Sequence, residues 1–465
     1  MAETKVKFPT KKVLLAAATV LMIAFFFVTP FAGLSDVGMK FLGIFIWWIV
    51  LMATAVIPNH MACIAALLVA VVTGVSNFAG AFTAYSSSTC MLLIGAFGMA
   101  TALANSGILN RIALLVMKLF PGTYTGQLWA VSVASLILAP TIPSASAKCS
   151  ILMPIVGTIS DEMGYEPHSR GATGLLSCCN TITNFIGLMF MTGGVGCMLM
   201  LSLSAVSITW MGWLKFALVW GVVMFVLTVL FHQFYYNPAK DGGEAKTLDK
   251  KVIQERINAL GAMSGKETAA LIVLIAAIVL WVTESYHGIP TAAVALGAWV
   301  VLSCFGLFSF ADFSTKIAWS VWAMVGGILG ITGLLSASGV APWLGTLVAP
   351  IVAALSSSPL LLVLVITLLH VVLVFGLVTY AVTGSIFISM LSAAPISPLC
   401  IIFTACQGSS TFVLPFQQIG VVASIGMAGG RIEHKDIVPA AWAFVISNII
   451  AIMLSVPWWR FLGFI

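Results

Sequence analysis

Residues 139–154 read Ala139-Pro140-Thr141-Ile142-Pro143-Ser144-Ala145-Ser146-Ala147-Lys148-Cys149-Ser150-Ile151-Leu152-Met153-Pro154. Prolines, hydroxyls and a lysine stand here between apolar runs long enough to lie in a membrane. Irregular backbone at that depth is tolerated only inside protein or against a wet cavity, where freed amides and carbonyls find partners. Transport sites are built this way. A second stretch of this kind, Thr379 to Ser392, occupies the other half of the chain.

Composition sets the class. The chain of 465 residues is 61% hydrophobic and 7% charged, against about 25% charged in soluble domains. The sequence therefore predicts an all-α polytopic membrane protein. The apolar run from Val13 to Phe31 is of spanning length and lacks a small-residue cleavage site, so it reads as a first span and not as a signal peptide. The nine cysteines have no metal-ligand spacing and read as small buried hydrophobes. A net charge of +6 does not indicate nucleic acid, because of where the charges fall. Of the 20 Lys and Arg, all but Lys40, Lys148, Lys215 and Arg460 lie in segments that alternate-span counting puts on one side. Positive residues gather on the cytoplasmic side, which predicts a cytoplasmic N-terminus, an extracytoplasmic C-terminus and a multi-pass place in the inner or plasma membrane.

Taken in order, the chain predicts eleven membrane-crossing helices plus two re-entrant helical hairpins in two inverted repeats. Residues 1–37 hold the N-terminal segment and first span. The first repeat is 38–236, with a hairpin at about 126–162 whose tip lies near Ser144. A polar cytoplasmic linker is expected at 237–266, with a short surface helix within Leu248 to Leu260. The second repeat is 267–465, with a hairpin at about 358–396 whose tip lies at Thr383. Leu109 to Phe120, carrying Arg111 and Lys118 beside an apolar face, reads as an interfacial amphipathic helix. Broken spans are expected at 172–203, interrupted at Thr192-Gly193-Gly194, and at 399–428, interrupted between Pro415 and Gly420.

The halves match in detail. Gly95, Gly98, Ser106 and Gly107 fall on Gly327, Gly330, Ser338 and Gly339 at one constant offset, and Ser144-Ala145-Ser146 falls on Thr383-Gly384-Ser385. Thr192 and Gly194 fall on Gln418 and Gly420. An odd number of spans separates corresponding points, so the second repeat is inverted, the plan of secondary transporters.

The candidate substrate site follows: Ser144, Ala145, Ser146, Lys148 and Thr192 from the first repeat, Thr383, Gly384, Ser385 and Gln418 from the second. A helix starting after each tip would offer unsatisfied amides and partial positive charge to an anion. The tip hydroxyls would either bind that anion or cap the second arm. Lysine at membrane depth costs about 2.5–3.5 kcal/mol on the insertion scale, so Lys148 is expected to face a cavity, the alternative being a side chain that snorkels to the surface. His370 reads as a packed histidine, and the clusters Asp161 to Arg170 and Glu284 to His287 as solvated turns. No phosphate-cradling glycine loop, metal-spaced His and carboxylate cluster or nucleophile elbow is present, so no enzyme and no cofactor is predicted.

These residues resemble the divalent anion/sodium symporter family, which carries di- and tricarboxylates or sulfate. The resemblance rests on the two hydroxyl-bearing tips, the broken helices that follow them, Phe412-Val413-Leu414-Pro415 and the Ser-Gly turns at 106 and 338. It implies a homodimer that works by an elevator motion on a small anion in the lipid bilayer, with no nucleic-acid partner. The family tripeptide is Ser-Asn-Thr at both tips. Here it is Ser-Ala-Ser and Thr-Gly-Ser, and the Thr-Pro-Pro of the broken helices is replaced by Thr192-Gly193-Gly194 and Gln418-Ile419-Gly420. The family's asparagines help bind substrate and build sodium sites. Their loss predicts sodium-independent exchange of small organic dianions such as malate, succinate, 2-oxoglutarate or citrate, with Lys148 standing in for sodium. The alternative is sodium-coupled symport of a carboxylate or sulfate.

Overall fold

The computed structural model describes residues 10–241, 247–355, 358–372, 396–414 and 417–465. Its regular elements among these residues are helices. In chain order they are α1 (Thr10–Ala24), α2 (Asp36–Thr54), α3 (Asn59–Val72), α4 (Phe78–Phe82), α5 (Ser88–Ser106), α6 (Ile108–Leu119), α7 (Tyr124–Leu138), α8 (Ala145–Glu162), α9 (Arg170–Phe185), α10 (Val195–Ser204) and α11 (Trp210–Tyr235). After the linker come α12 (Lys250–Ala259), α13 (Gly265–Val282), α14 (Glu284–His287), α15 (Thr291–Cys304), α16 (Phe310–Thr315), α17 (Trp319–Ala337), α18 (Val340–Leu355), α19 (Pro359–Val372), α20 (Pro398–Gly408), α21 (Ile419–Met427) and α22 (His434–Phe461).

Six helices among the described residues are long and apolar enough to cross a membrane: α2, α5, α11, α13, α17 and α22. Others are shorter apolar pieces, including α3, α10, α15, α19 and α20. The local sequence explains where many begin. Ser35, Ser87, Thr123, Ser169, Thr209 and Ser264 each cap a helix by accepting from the backbone N–H three residues on. At Ser264 the cap is reciprocal, because Glu267 reaches back to the Ser264 N–H.

The glycines matched between the two halves of the sequence fall at helix crossings. Helix α5 of the first half lies along α15 of the second, and α17 lies along α3 in the mirrored relation. The matched glycines are the contact points. A Cβ at Gly95 would sit 2.9 Å from Leu296 N and one at Gly98 would run into the Trp299 ring. Likewise a Cβ at Gly327 would strike Cys63, and one at Gly330 would sit 2.7 Å from Ala81 O. Small residues at such crossings let backbones approach, the main source of association where lipid removes the hydrophobic drive. Gly98→Ala is accordingly expected to lower stability by about 1–3 kcal/mol, read as a lower melting temperature of the purified protein.

The second body gathers around α11 and α22, which pack along each other. Trp213, Phe216, Trp220, Phe403 and Trp459 form their shared core, and the Trp220 indole donates to Asn448 Oδ1 at 2.8 Å. Against this pair lie α7 and α9 from the first half and α19 and α20 from the second; α8 packs on α9 and α21, with α9 touching α21 and α10 touching α20.

Three expectations change here. Helix α6 buries more of itself than a helix lying free on the surface would: Ile108, Leu109, Arg111, Ala113, Leu114, Val116 and Met117 are buried against α7 and α12, while Leu115, Lys118 and Leu119 stay exposed. Its arginine is satisfied in place by Glu267, with Nε to Oε1 at 2.7 Å and Nη2 to Oε2 at 3.1 Å, which a composition reading could not foresee. The breaks in the two interrupted spans also start earlier than glycine positions alone indicate: α9 gives way to a 3-10 segment at Ile186 and α10 starts only at Val195, while α20 ends at Gly408 and α21 starts at Ile419. Finally, Glu284 is no solvated turn residue. Its carboxylate accepts from Trp210 N at 2.8 Å and from Thr291 Oγ1 at 3.0 Å, and so caps the starts of both α11 and α15.

Candidate functional site

The break after α7 and the break after α9 are stitched to each other. Ala139–Thr141 turn as a short 3-10 segment, and Pro143 precedes the start of α8. Thr192 Oγ1 donates to Pro140 O at 2.7 Å and accepts from the Trp210 indole at 3.2 Å, while Val195 N donates to Pro143 O at 3.3 Å. Backbone amides and carbonyls freed by the prolines and glycines are thus partly satisfied across the two segments, as burial demands.

Lys148 lies in the first turn of α8 and is 1% exposed. Its Nζ donates to Gly193 O at 3.1 Å. The ammonium also presses on Gly187, where any Cβ would overlap both Nζ and Gly193 O, and Gly193 in turn has Gly187 O and Ala139 O within 2.6 Å of its own Cβ position. These glycines are needed because charge and backbone crowd the same few ångströms. The side chain does not snorkel. No carboxylate pairs with it among the described residues.

A cavity of about 280 Å³ opens beside this crossing, walled by Ser144, Ala145, Lys148, Asn184, Gln418 and Gly420 among others. Ser144 caps α8 by accepting from Ala147 N at 3.3 Å and also lines the cavity. A second cavity of about 410 Å³ shares the Phe97, Pro143, Ser144 and Ala318 wall and runs to Asn105 and Lys316. Lys316 is held there by Asn105 Oδ1 at 2.6 Å and Asp312 Oδ1 at 2.8 Å.

Of the predicted site residues, Ser144, Ala145, Lys148 and Gln418 come together on the cavity wall. Ser146 stands close by, its Oγ 3.9 Å from where a Gly420 Cβ would be. Thr192 is not on the wall: both bonding directions of its hydroxyl are used in joining the breaks. Thr383, Gly384 and Ser385 lie outside the described residues. His370 is buried in α19 with Nδ1 2.7 Å from Ile366 O.

The profile of a known family, described as "Sodium:sulfate symporter transmembrane region", matches residues 10–465. The chain belongs to this family. Among curated relatives it is 26% identical to Dicarboxylate transporter 1, chloroplastic, of Arabidopsis thaliana, over 97% of this chain and 83% of that one. It is 23% identical to the L-tartrate/succinate antiporter of Shigella dysenteriae, over 72% of this chain and 71% of the relative. The solved Alcanivorax borkumensis YdaH transporter shares the fold at a TM-score of 0.61, with 14% identity, covering 92% of this chain and 98% of that one. This symporter-family chain is a transporter and not an enzyme.

Sequence reasoning passed over Asn184, Gly187 and Ser410, and named Phe412 and Gly420 only as motif positions; all five are on the cavity wall. A usable signal existed for one of them: Asn180 and Asn184 lie one helical turn apart in an otherwise apolar run, and polar side chains at that depth mark function. In this family member the charged segments assigned to one side also meet one another. Arg431 pairs with Asp161 at 2.6 Å and His168 with Asp436 at 2.6 Å, tying the end of α8 and the loop before α9 to the start of α22. The Arg431 guanidinium holds the Asp161 carboxyl below its usual range. A depressed carboxylate stabilises the fold above its ordinary pKa of about 3.9 and loses that contribution as pH falls through the folded value. Asp161 is half exposed, so Asp161→Asn is expected to cost no more than about 1 kcal/mol. The difference in melting temperature from the parent should close as pH drops below about 4.

Proposed function

We propose that this chain is a secondary transporter that exchanges small organic dianions without sodium, and that the Lys148 ammonium supplies the fixed positive charge for the bound substrate. The single observation behind this reading is a buried ammonium, unpaired by any carboxylate among the described residues, at the wall of a cavity that the start of α8 also faces. An uncompensated buried cation is costly and calls for an anionic partner. The first backbone N–H groups of α8 add partial positive charge at the same wall.

Exchange follows from the same charge. With substrate bound, the lysine is compensated. Empty, the carrier would have to move an unpaired charge through the membrane, so return of the empty form is slow and a second anion must ride back. The Shigella relative's description as an antiporter supports this direction. The Arabidopsis relative's description supports a dicarboxylate as the cargo.

In this reading α7 and α8 form a re-entrant hairpin, and the body built on α11 and α22 moves against the body built on α5, α15, α3 and α17 as an elevator within a homodimer. The second cavity, running from Ser144 toward Lys316 and Asn105, is then the cytoplasmic access route. The family profile's sodium:sulfate description favours one rival, sodium-coupled symport. Proteoliposomes loaded with unlabelled malate and given labelled malate outside, in sodium-free buffer, decide between them. Counterflow without sodium supports exchange; uptake that appears only with a sodium gradient sinks it.

A further inference from the structure

Asn184 stands near the C-terminal end of α9 and on the cavity wall. Its amide nitrogen donates to Asn180 O at 2.7 Å and to Asn180 Oδ1 at 2.9 Å. A backbone carbonyl only accepts, so the NH2 group must be the end that faces it and the amide cannot be turned over. Asn180 Oδ1 also lies against Ser424 Oγ on α21, whose single hydrogen is shared with Val421 O. Both hydrogens of the Asn184 amide are therefore committed, and what remains is Oδ1.

That oxygen is left uncovered by Gly420, since a Cβ there would sit 3.0 Å from Asn184 Oδ1. It has no hydrogen-bond partner among the described residues. The rest of the site is donor-rich: the Lys148 ammonium, the first N–H groups of α8 and the nearby Ser146 hydroxyl. An acceptor in such a site gains nothing from a carboxylate, whose oxygens also only accept at neutral pH. It requires a donor on the ligand, and a hydroxyl beside a carboxylate is the smallest group that brings one.

We propose that Asn184 is a specificity-determining residue whose Oδ1 accepts a hydrogen bond from a hydroxyl on the substrate carbon next to a carboxylate, so that the site prefers 2-hydroxydicarboxylates to unsubstituted dicarboxylates. The inference rests on the reading of this cavity as a dicarboxylate site. A ligand lacking the hydroxyl leaves Oδ1 dry and unpaired, which costs affinity out of proportion to the atom removed.

The test is competition against labelled L-malate counterflow in sodium-free proteoliposomes, using L-malate, succinate and 2-methoxysuccinate, which keeps the oxygen and loses its hydrogen. In the parent protein malate should compete about tenfold to a hundredfold better than succinate, and 2-methoxysuccinate no better than succinate. In Asn184→Leu, similar in size and without the acceptor, succinate should keep its potency while the malate preference falls to near one. Equal competition by malate and succinate in the parent, equal competition by malate and 2-methoxysuccinate, or a preference that survives Asn184→Leu would each overturn the proposal. A variant that changes sodium dependence and leaves the preference intact would also overturn it, by making Oδ1 a cation ligand. If Asn184→Leu fails to fold, the analogue series on the parent protein still decides. Absence of dicarboxylate counterflow in the parent both without and with sodium would instead remove the dicarboxylate reading on which this inference rests.

Discussion

Lys148→Ala is expected to reduce sodium-free malate counterflow by at least about a hundredfold, because removing one partner of a buried charge pair costs about 3–5 kcal/mol. The same change should leave the unliganded protein melting no lower than the parent. The empty site holds an ammonium with a single hydrogen bond, to Gly193 O, and no carboxylate partner among the described residues, so the parent carries an unfavourable charge that alanine relieves. A thermal shift on adding malate should be present in the parent and absent in the variant, since a ligand stabilises only the state it binds. Transport at parent levels in Lys148→Ala would return the lysine to a purely structural role.

Gly187→Ala should be nearly as damaging by a different route. The added methyl would overlap both Gly193 O and Lys148 Nζ, and neither can retreat: the first is in the stitched break, the second is buried. Overpacking of this kind costs about 1–3 kcal/mol of stability, and displacement of the ammonium should lower counterflow by about tenfold or more. Gly333→Ala provides the contrast. Nothing lies within 4 Å of its Cβ position in α17, and alanine is the better helix former, so melting temperature and transport should stay level or rise slightly. Equal losses in the two variants would mean that glycine matters at 187 for a reason other than the crowding described.

The Gly95, Gly98, Gly327 and Gly330 matches were legible in the sequence, and these glycines lie where α5 meets α15 and where α17 meets α3 and α4. Patterns of this kind survive in sequence because close helix crossings tolerate nothing larger. Lys148 was legible for the opposite reason, as a charge where charge is expensive. Thr192 was misleading. A hydroxyl next to two glycines marks broken backbone equally well whether it meets a ligand or ties two breaks together, and only the bonds to Pro140 O and from Trp210 show which.

By itself the sequence determined that this is a helical membrane protein, that its backbone breaks near Ser144 and Thr192, and that a lysine sits at one break. Those properties are written in composition, spacing and residue type, each local or periodic. Tertiary structure alone decided that the two breaks cross, that the ammonium is held against Gly187 and Gly193 and not drawn to the surface, that Arg111 is neutralised by Glu267 more than a hundred residues away, and that the Asn184 amide nitrogen is turned to Asn180. Each of these depends on which distant group comes within hydrogen-bonding reach, and a hydrogen bond's direction is set by its partner, which spacing along a chain does not reveal.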